Sequence, residues 1–336
     1  MRILITFLAL IFLSELSLQI YHYYFPTTIF YRHSYEENKG KPNGEDYDFH
    51  LNSLGFKDTE FTQKKEGTYR ILAIGDSFAF GTVPYQGLFL TLLEKKLHQI
   101  TPGIELLNMG IPGIAPHEYY YLLGLEGIGV QPDMLLLTFF IGDDFSSSKP
   151  KKFYDYSALG AIGKQILDKR KTYHGKIYHH GTYCDTCPPM PIENFLAIEE
   201  EKRYLFEKDN STFAKHFENA KYSLRRIRKQ CNRENIQLLV VVIPDAVQIN
   251  TSLEKQIRAG AFSPVANDSW DISQSNRILT NWMISEGIDF IDLYPYMKNN
   301  PAPVYKPNDV HWNLAGNKLA SEVICSKLLT CGLGKK

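Results

Sequence analysis

Hydrophobic positions fall into three regimes along the chain. The first is an almost unbroken apolar run from Ile3 to Ile20, preceded by Arg2 and interrupted by Glu15 and Gln19. A helix needs about 20 mostly apolar residues to cross a bilayer, and this run nearly reaches that length. Glu15 and Gln19 lie four residues apart, on one face of such a helix. Tyr21, Tyr23 and Tyr24 follow in the manner of an interfacial aromatic belt. One positive charge before an apolar run is also the plan of an export signal, but no small-x-small cleavage site follows it. The expectation is an uncleaved single-pass anchor over residues 1–25, with Arg2 inside and the rest on the extracytoplasmic side. A cleaved signal and a buried amphipathic helix are the alternatives.

The second regime, residues 26–66, is polar and carries the turn signals Lys39-Gly40-Lys41-Pro42 and Asn43-Gly44. It predicts a juxtamembrane segment leading into a domain over residues 67–336. There, short apolar runs alternate with helical spacing. Tyr69 to Ile74 predicts a buried strand, residues 88–97 a helix, Glu105 to Asn108 a strand and Pro116 to Leu125 a helix. Met134 to Ile141 is uninterruptedly apolar, as a central parallel strand should be. Residues 145–210 break the alternation and predict an insertion after this third strand. A helix from Thr212 to Asn232, capped by Ser211 or Thr212, then resumes the pattern. Ile236 to Ile243 predicts a strand, 274–286 a helix, Asp289 to Leu293 a strand and Leu314 to Leu329 a final helix. Five strands alternating with helices predict an open, doubly wound α/β sheet, whose sites form at the strands' carboxyl ends.

Composition narrows the function classes. Lys+Arg and Asp+Glu are 37 each, so no global positive field draws nucleic acid, and none is expected as a partner. Five cysteines are too few for a disulfide-built scaffold. Cys184-x-x-Cys187 lies near His174, His179 and His180; a small disulfide loop is expected, with free thiols or zinc as alternatives. Cys325 and Cys331 are a second candidate pair, leaving Cys231 single. The insertion is basic at its start (Lys149, Lys151, Lys152, Lys164, Lys169, Arg170, Lys171, Lys176) and interleaved with Tyr154, Tyr156, Tyr173, Tyr178 and Tyr183. Such a lid suits a carbohydrate or an anionic polymer.

Four blocks carry candidate chemistry, each beside a strand end or helix start. Gly75-Asp76-Ser77 follows the first strand, where a serine sits at a strand-to-helix turn with its own N–H near a helix start. Asn108-Met109-Gly110-Ile111-Pro112-Gly113 ends the second, and its glycines allow close backbone approach. Gly142-Asp143-Asp144-Phe145 ends the third; its paired carboxylates lack a visible third ligand, so no metal is expected. Asp309-Val310-His311-Trp312-Asn313 precedes the last helix, offering a base and an orienting carboxylate to a serine nucleophile.

In order and spacing these blocks resemble the SGNH (GDSL-type) hydrolases over roughly residues 67–330. Asn52-Ser53-Leu54-Gly55-Phe56 resembles the lead-in of bacterial membrane-anchored members. The resemblance implies a three-layer α/β/α flavodoxin-like fold without a cofactor. It implies Ser77 as nucleophile, His311 as base and Asp309 as its partner. It also implies an oxyanion hole from the Ser77 N–H, the Gly110 N–H and an Asn side chain. Asp143 stands at that Asn position. An ionised carboxylate donates no hydrogen bond, and one lost oxyanion donor costs about 2.7–4 kcal/mol in serine hydrolases.

Three functions follow from the resemblance and the apolar run. The first is a membrane-anchored serine esterase removing O-acetyl or similar groups from a cell-surface glycan. The second is a polysaccharide O-acetyltransferase supplied by a polytopic membrane acyl donor, since its Asp-x-His-Trp block, Asp309 to Trp312, resembles those enzymes. The third is a non-catalytic binding module.

Overall fold

The computed structural model describes residues 2–24, 35, 38–145, 157–160, 162–163, 179, 181–260 and 267–330. Five strands form one parallel sheet: β1 (Tyr69–Ile74), β2 (Ile104–Asn108), β3 (Met134–Phe140), β4 (Gln237–Ile243) and β5 (Asp289–Asp292). Their spatial order is β2-β1-β3-β4-β5. Chain direction across the sheet reverses between β1 and β3, so a crevice opens at their carboxyl ends.

Alternation along each strand divides the core into two layers. Leu72 and Ile74 of β1, Leu135, Leu137 and Phe139 of β3, and Val240 and Val242 of β4 face one side. There they meet the helices Pro116–Leu122, Ser211–Arg233 and Gln274–Glu286. Ile71, Ala73, Leu136 and Val241 face the other side, against the helices Phe89–Ile100 and Leu314–Thr330. Every residue of β3 is buried, which is why its sequence is apolar without a polar face. The fold is therefore a three-layer α/β/α sandwich.

Predicted and observed elements agree to within a few residues, with instructive exceptions. The predicted helix from Pro116 stops at Leu122 and continues as a π turn, Leu123–Gly127. Asn210, and not Ser211 or Thr212, caps the helix Ser211–Arg233, its side chain accepting the N–H groups of Thr212 and Phe213. The insertion, read as aperiodic, contains a helix, Ile192–Glu201. Its basic run, Tyr154, Tyr156, Tyr173, Tyr178, His174 and His180 lie outside the described residues.

Residues 38–62 pack onto the domain they were read as leading into. They include a two-residue hairpin, Glu45–Asp46 with Phe49–His50, and the fully buried Phe56 and Lys57. The helix Arg2–Tyr24 holds its apolar side chains from Ile3 to Leu16 exposed; Arg2–Tyr21 has a mean hydropathy of 2.2. On that helix, Glu15 accepts hydrogen bonds from Gln19 Nε2 (2.8 Å) and from the backbone N–H groups of Ala158 (2.7 Å) and Leu159 (2.9 Å).

Candidate active site

The turn after β1 is shaped by what surrounds it. A Cβ at Gly75 would lie 1.7 Å from Thr138 Oγ1 on β3, so only glycine fits. Asp76 then caps the short helix Ser77–Phe80, its carboxylate accepting the Phe78 N–H at 2.9 Å. This sets Ser77 at the crevice.

The loop before the final helix reaches the same crevice. His311 Nε2 lies 2.8 Å from Ser77 Oγ, and His311 Nδ1 lies 2.7 Å from Asp309 Oδ1. With Nδ1–H donated to the carboxylate, the hydrogen-bond network assigns Nε2 as acceptor of the Ser77 proton. Trp312, 1% exposed, wedges against Phe78 and Phe89 and fixes the loop, while Phe78 also lies 5.2 Å from the His311 ring. Burial alone would raise the Asp309 carboxyl. The His311 hydrogen bond and the ammonium of Lys306, 2.9 Å from Asp309 Oδ2, instead bring it down to about 2. Nothing in the sequence marked Lys306; it reaches Asp309 because Tyr305 and Trp312 form an antiparallel bridge and Lys306 N–H donates to His311 O.

Gly110 packs directly on the serine turn, where a Cβ would lie 2.3 Å from Phe80 N. Its N–H donates to Asn108 Oδ1 at 2.8 Å, and Asn108 Nδ2 donates to Ala79 O at 2.8 Å. The adjacent acids differ in setting. Asp144 is buried and accepts from Tyr119 O–H and Phe140 N–H, each at 2.8 Å. Asp143 is half-buried. Burial, with the Asp143 charge adding to it, pushes Asp76 up to about 7. Burial, with the charges of Asp76 and Asp143 adding to it, raises Asp144 well above the usual carboxylate range.

Cys184 and Cys187 form a disulfide with Cα atoms 5.4 Å apart. Asp185 between them accepts from Tyr183 O–H and from Leu314 N–H (2.9 Å), which caps the final helix. No group of three metal-ligating side chains occurs among the described residues. Cys231 and Cys325 are buried thiols, and the suggested partner Cys331 lies outside the described residues.

Chemically, the serine, imidazole and carboxylate make a proton relay able to raise the nucleophilicity of Ser77 Oγ. Residues 200–334, which include Asp309 and His311, match the family model of the SGNH hydrolase-like domain of acetyltransferase AlgX. A comparison with curated proteins found no match. Similar solved structures include a lipase/acylhydrolase from Enterococcus faecalis, 12% identical with a TM-score of 0.44, covering 80% of this chain and 100% of that one. An acetyl xylan esterase, AlAXEase, is 16% identical with a TM-score of 0.40, covering 77% and 99%. A lipase from a goat rumen metagenome is 13% identical with a TM-score of 0.44, covering 77% and 97%. Over residues 200–334, less than half of its length, the chain is thus similar to the SGNH hydrolase-like domain of the acetyltransferase AlgX.

Proposed function

We propose that the protein is a serine esterase that removes O-acetyl or similar acyl groups from a cell-surface glycan through an acyl-enzyme on Ser77. The continuous relay Ser77–His311–Asp309, with contacts of 2.8 and 2.7 Å, carries this reading. Ser77 Oγ attacks the ester carbonyl while its proton passes to His311 Nε2. Asp309 stabilises the imidazolium, and the tetrahedral intermediate collapses as His311 returns the proton to the departing alcohol. Water, activated by the same imidazole, then attacks acyl-Ser77, releasing the acid and regenerating the hydroxyl.

The oxyanion of each intermediate lies against the N–H groups of Ser77 and Gly110, with Asp143 at the third position. In the structure the Gly110 N–H donates to Asn108 Oδ1 at 2.8 Å, so it serves the oxyanion only on leaving that acceptor. A carboxylate at position 143 slows the reaction without abolishing it, because the Ser77 N–H remains. The exposed apolar helix Arg2–Tyr24 supports a membrane anchor, and with Arg2 inside the domain lies on the extracytoplasmic side, where its substrate belongs to the cell envelope.

The match to the AlgX acetyltransferase favours a second reading, in which a sugar hydroxyl replaces water and a polytopic membrane protein supplies the acyl group. The test is p-nitrophenyl acetate hydrolysis by the full chain in detergent, with Ser77→Ala as control. Loss of hydrolysis by at least a thousandfold in Ser77→Ala is expected. Equal rates in the two proteins would sink the esterase reading and leave a binding module or a transferase that is silent without its membrane partner. Adding an oligosaccharide acceptor separates the two, since transfer yields an acetylated sugar at the expense of free acetate.

A further inference from the structure

The segment ahead of β1 buries two adjacent ionisable side chains that the relay does not use, Lys57 at 0% exposure and Asp58 at 4%. We propose that Lys57 and Asp58 are positioning residues that clamp the Ser77 turn and the Gly110 turn together. This rests on Ser77 being the nucleophile.

Each side chain holds one turn. Lys57 Nζ donates to Gly81 O (3.0 Å) and Val83 O (2.6 Å) and pairs with the buried Asp46 carboxylate at 2.5 Å. Gly81 ends the Ser77 helix with φ +82°, its N–H donating to Ser77 O at 2.9 Å. The intervening carbonyl, Thr82 O, accepts from Lys306 Nζ (3.3 Å) and Tyr47 O–H (3.2 Å). Three consecutive carbonyls behind the serine are thus held by two lysines and a tyrosine, and one of those lysines is the cation on Asp309.

Asp58 holds the other turn. Its Oδ2 accepts the Asn108 N–H at 2.7 Å, and its Oδ1 accepts Tyr85 O–H at 3.0 Å. Asn108 then takes the Gly110 N–H on its side-chain oxygen and gives its amide to Ala79 O, inside the serine turn. A bond sequence therefore runs from Asp58 through Asn108 to both turns, and Lys57 adjoins it in the backbone. Stability is a weak reason for such groups, since buried ion pairs replaced by apolar residues often leave stability unchanged or raised. Fixing the distance between nucleophile and oxyanion donor is a stronger one, because small misplacements there cost rate.

The test uses the full chain in detergent with Lys57→Met, Asp58→Asn and a remote control, Ile227→Ala, which opens a cavity in the helix Ser211–Arg233. Thermal unfolding, kcat and KM on p-nitrophenyl acetate, and backbone amide exchange at 77–81 and 108–110 are measured. Both clamp variants are expected to lower kcat at least tenfold with KM within threefold, and to speed exchange in both turns. Ile227→Ala should lower Tm while keeping kcat. Clamp variants that stay within twofold of the parent kcat while folded would overturn the proposal. If the parent shows no Ser77-dependent hydrolysis, that reading fails and exchange decides the clamp alone: loosening of both turns by either variant supports it, and loosening of one turn only refutes it. Should Lys57→Met not fold, Asp58→Asn carries the test, because an amide is isosteric with the carboxylate.

Discussion

Ser77, Asp309 and His311 stood out in the sequence because each sits in a short block beside an element boundary, and such boundaries face the crevice of a doubly wound sheet. The residues that adjust them did not stand out. Lys306, Lys57 and Asp58 are charges in polar stretches, indistinguishable in one dimension from a solvated face. Only the fold shows that Lys57 and Lys306 converge on Gly81, Thr82 and Val83 from opposite ends of the chain. Asp143 was legible as an anomaly, and it yields a prediction at this scale. Asp143→Asn restores an amide donor at the third oxyanion position, so kcat on p-nitrophenyl acetate should rise tenfold or more, up to the roughly hundredfold to thousandfold such a donor is worth. An unchanged or lower kcat would remove Asp143 from the oxyanion hole.

At the scale of elements, legibility followed burial. β3 was readable because both its faces are covered, which leaves no polar position to confuse the period. The helix Ile192–Glu201 was missed because it buries little apolar surface beyond Phe195 and carries four glutamates. The Cys184–Cys187 loop was recognisable as a disulfide from spacing, but its purpose was not. It presents Asp185 to the N-terminus of the final helix, next to the relay's own loop. Reduction, or Cys184→Ser with Cys187→Ser, should destabilise the protein by about 2 kcal/mol on chain-entropy grounds for so short a loop. Asp185→Ala should lower stability further in the oxidised protein by loss of the cap. Urea unfolding with and without reductant measures the first, and coincident curves would refute it.

For the whole molecule, buried acids set the response to pH. Burial, with the Glu94 charge adding to it, pushes Asp58 up to about 7, where it also faces Tyr85 O–H. Asp76 shifts likewise to about 7. A carboxyl raised above its unfolded value of about 3.9 contributes stability below that value and loses it as pH rises through 7. Asp309, held at about 2, does the opposite: its contribution is present above about 3.9 and is lost as pH falls towards 2. Tm should therefore peak near pH 4–5, decline towards pH 8 and collapse below pH 3. A Tm that rises steadily from pH 5 to 8 would contradict this balance.

Tyr35 is buried, with 1% of its surface exposed, while the apolar helix ends at Tyr24. The ten residues between them span at most about 35–40 Å even when drawn straight. If the helix sits in a bilayer, the crevice lies in a layer within that reach of the lipid surface. Esters within that layer meet a high local concentration of Ser77, and those further out meet none. Inserting residues between Tyr24 and Tyr35, with no change at the site, would then widen the zone of ester the protein can reach.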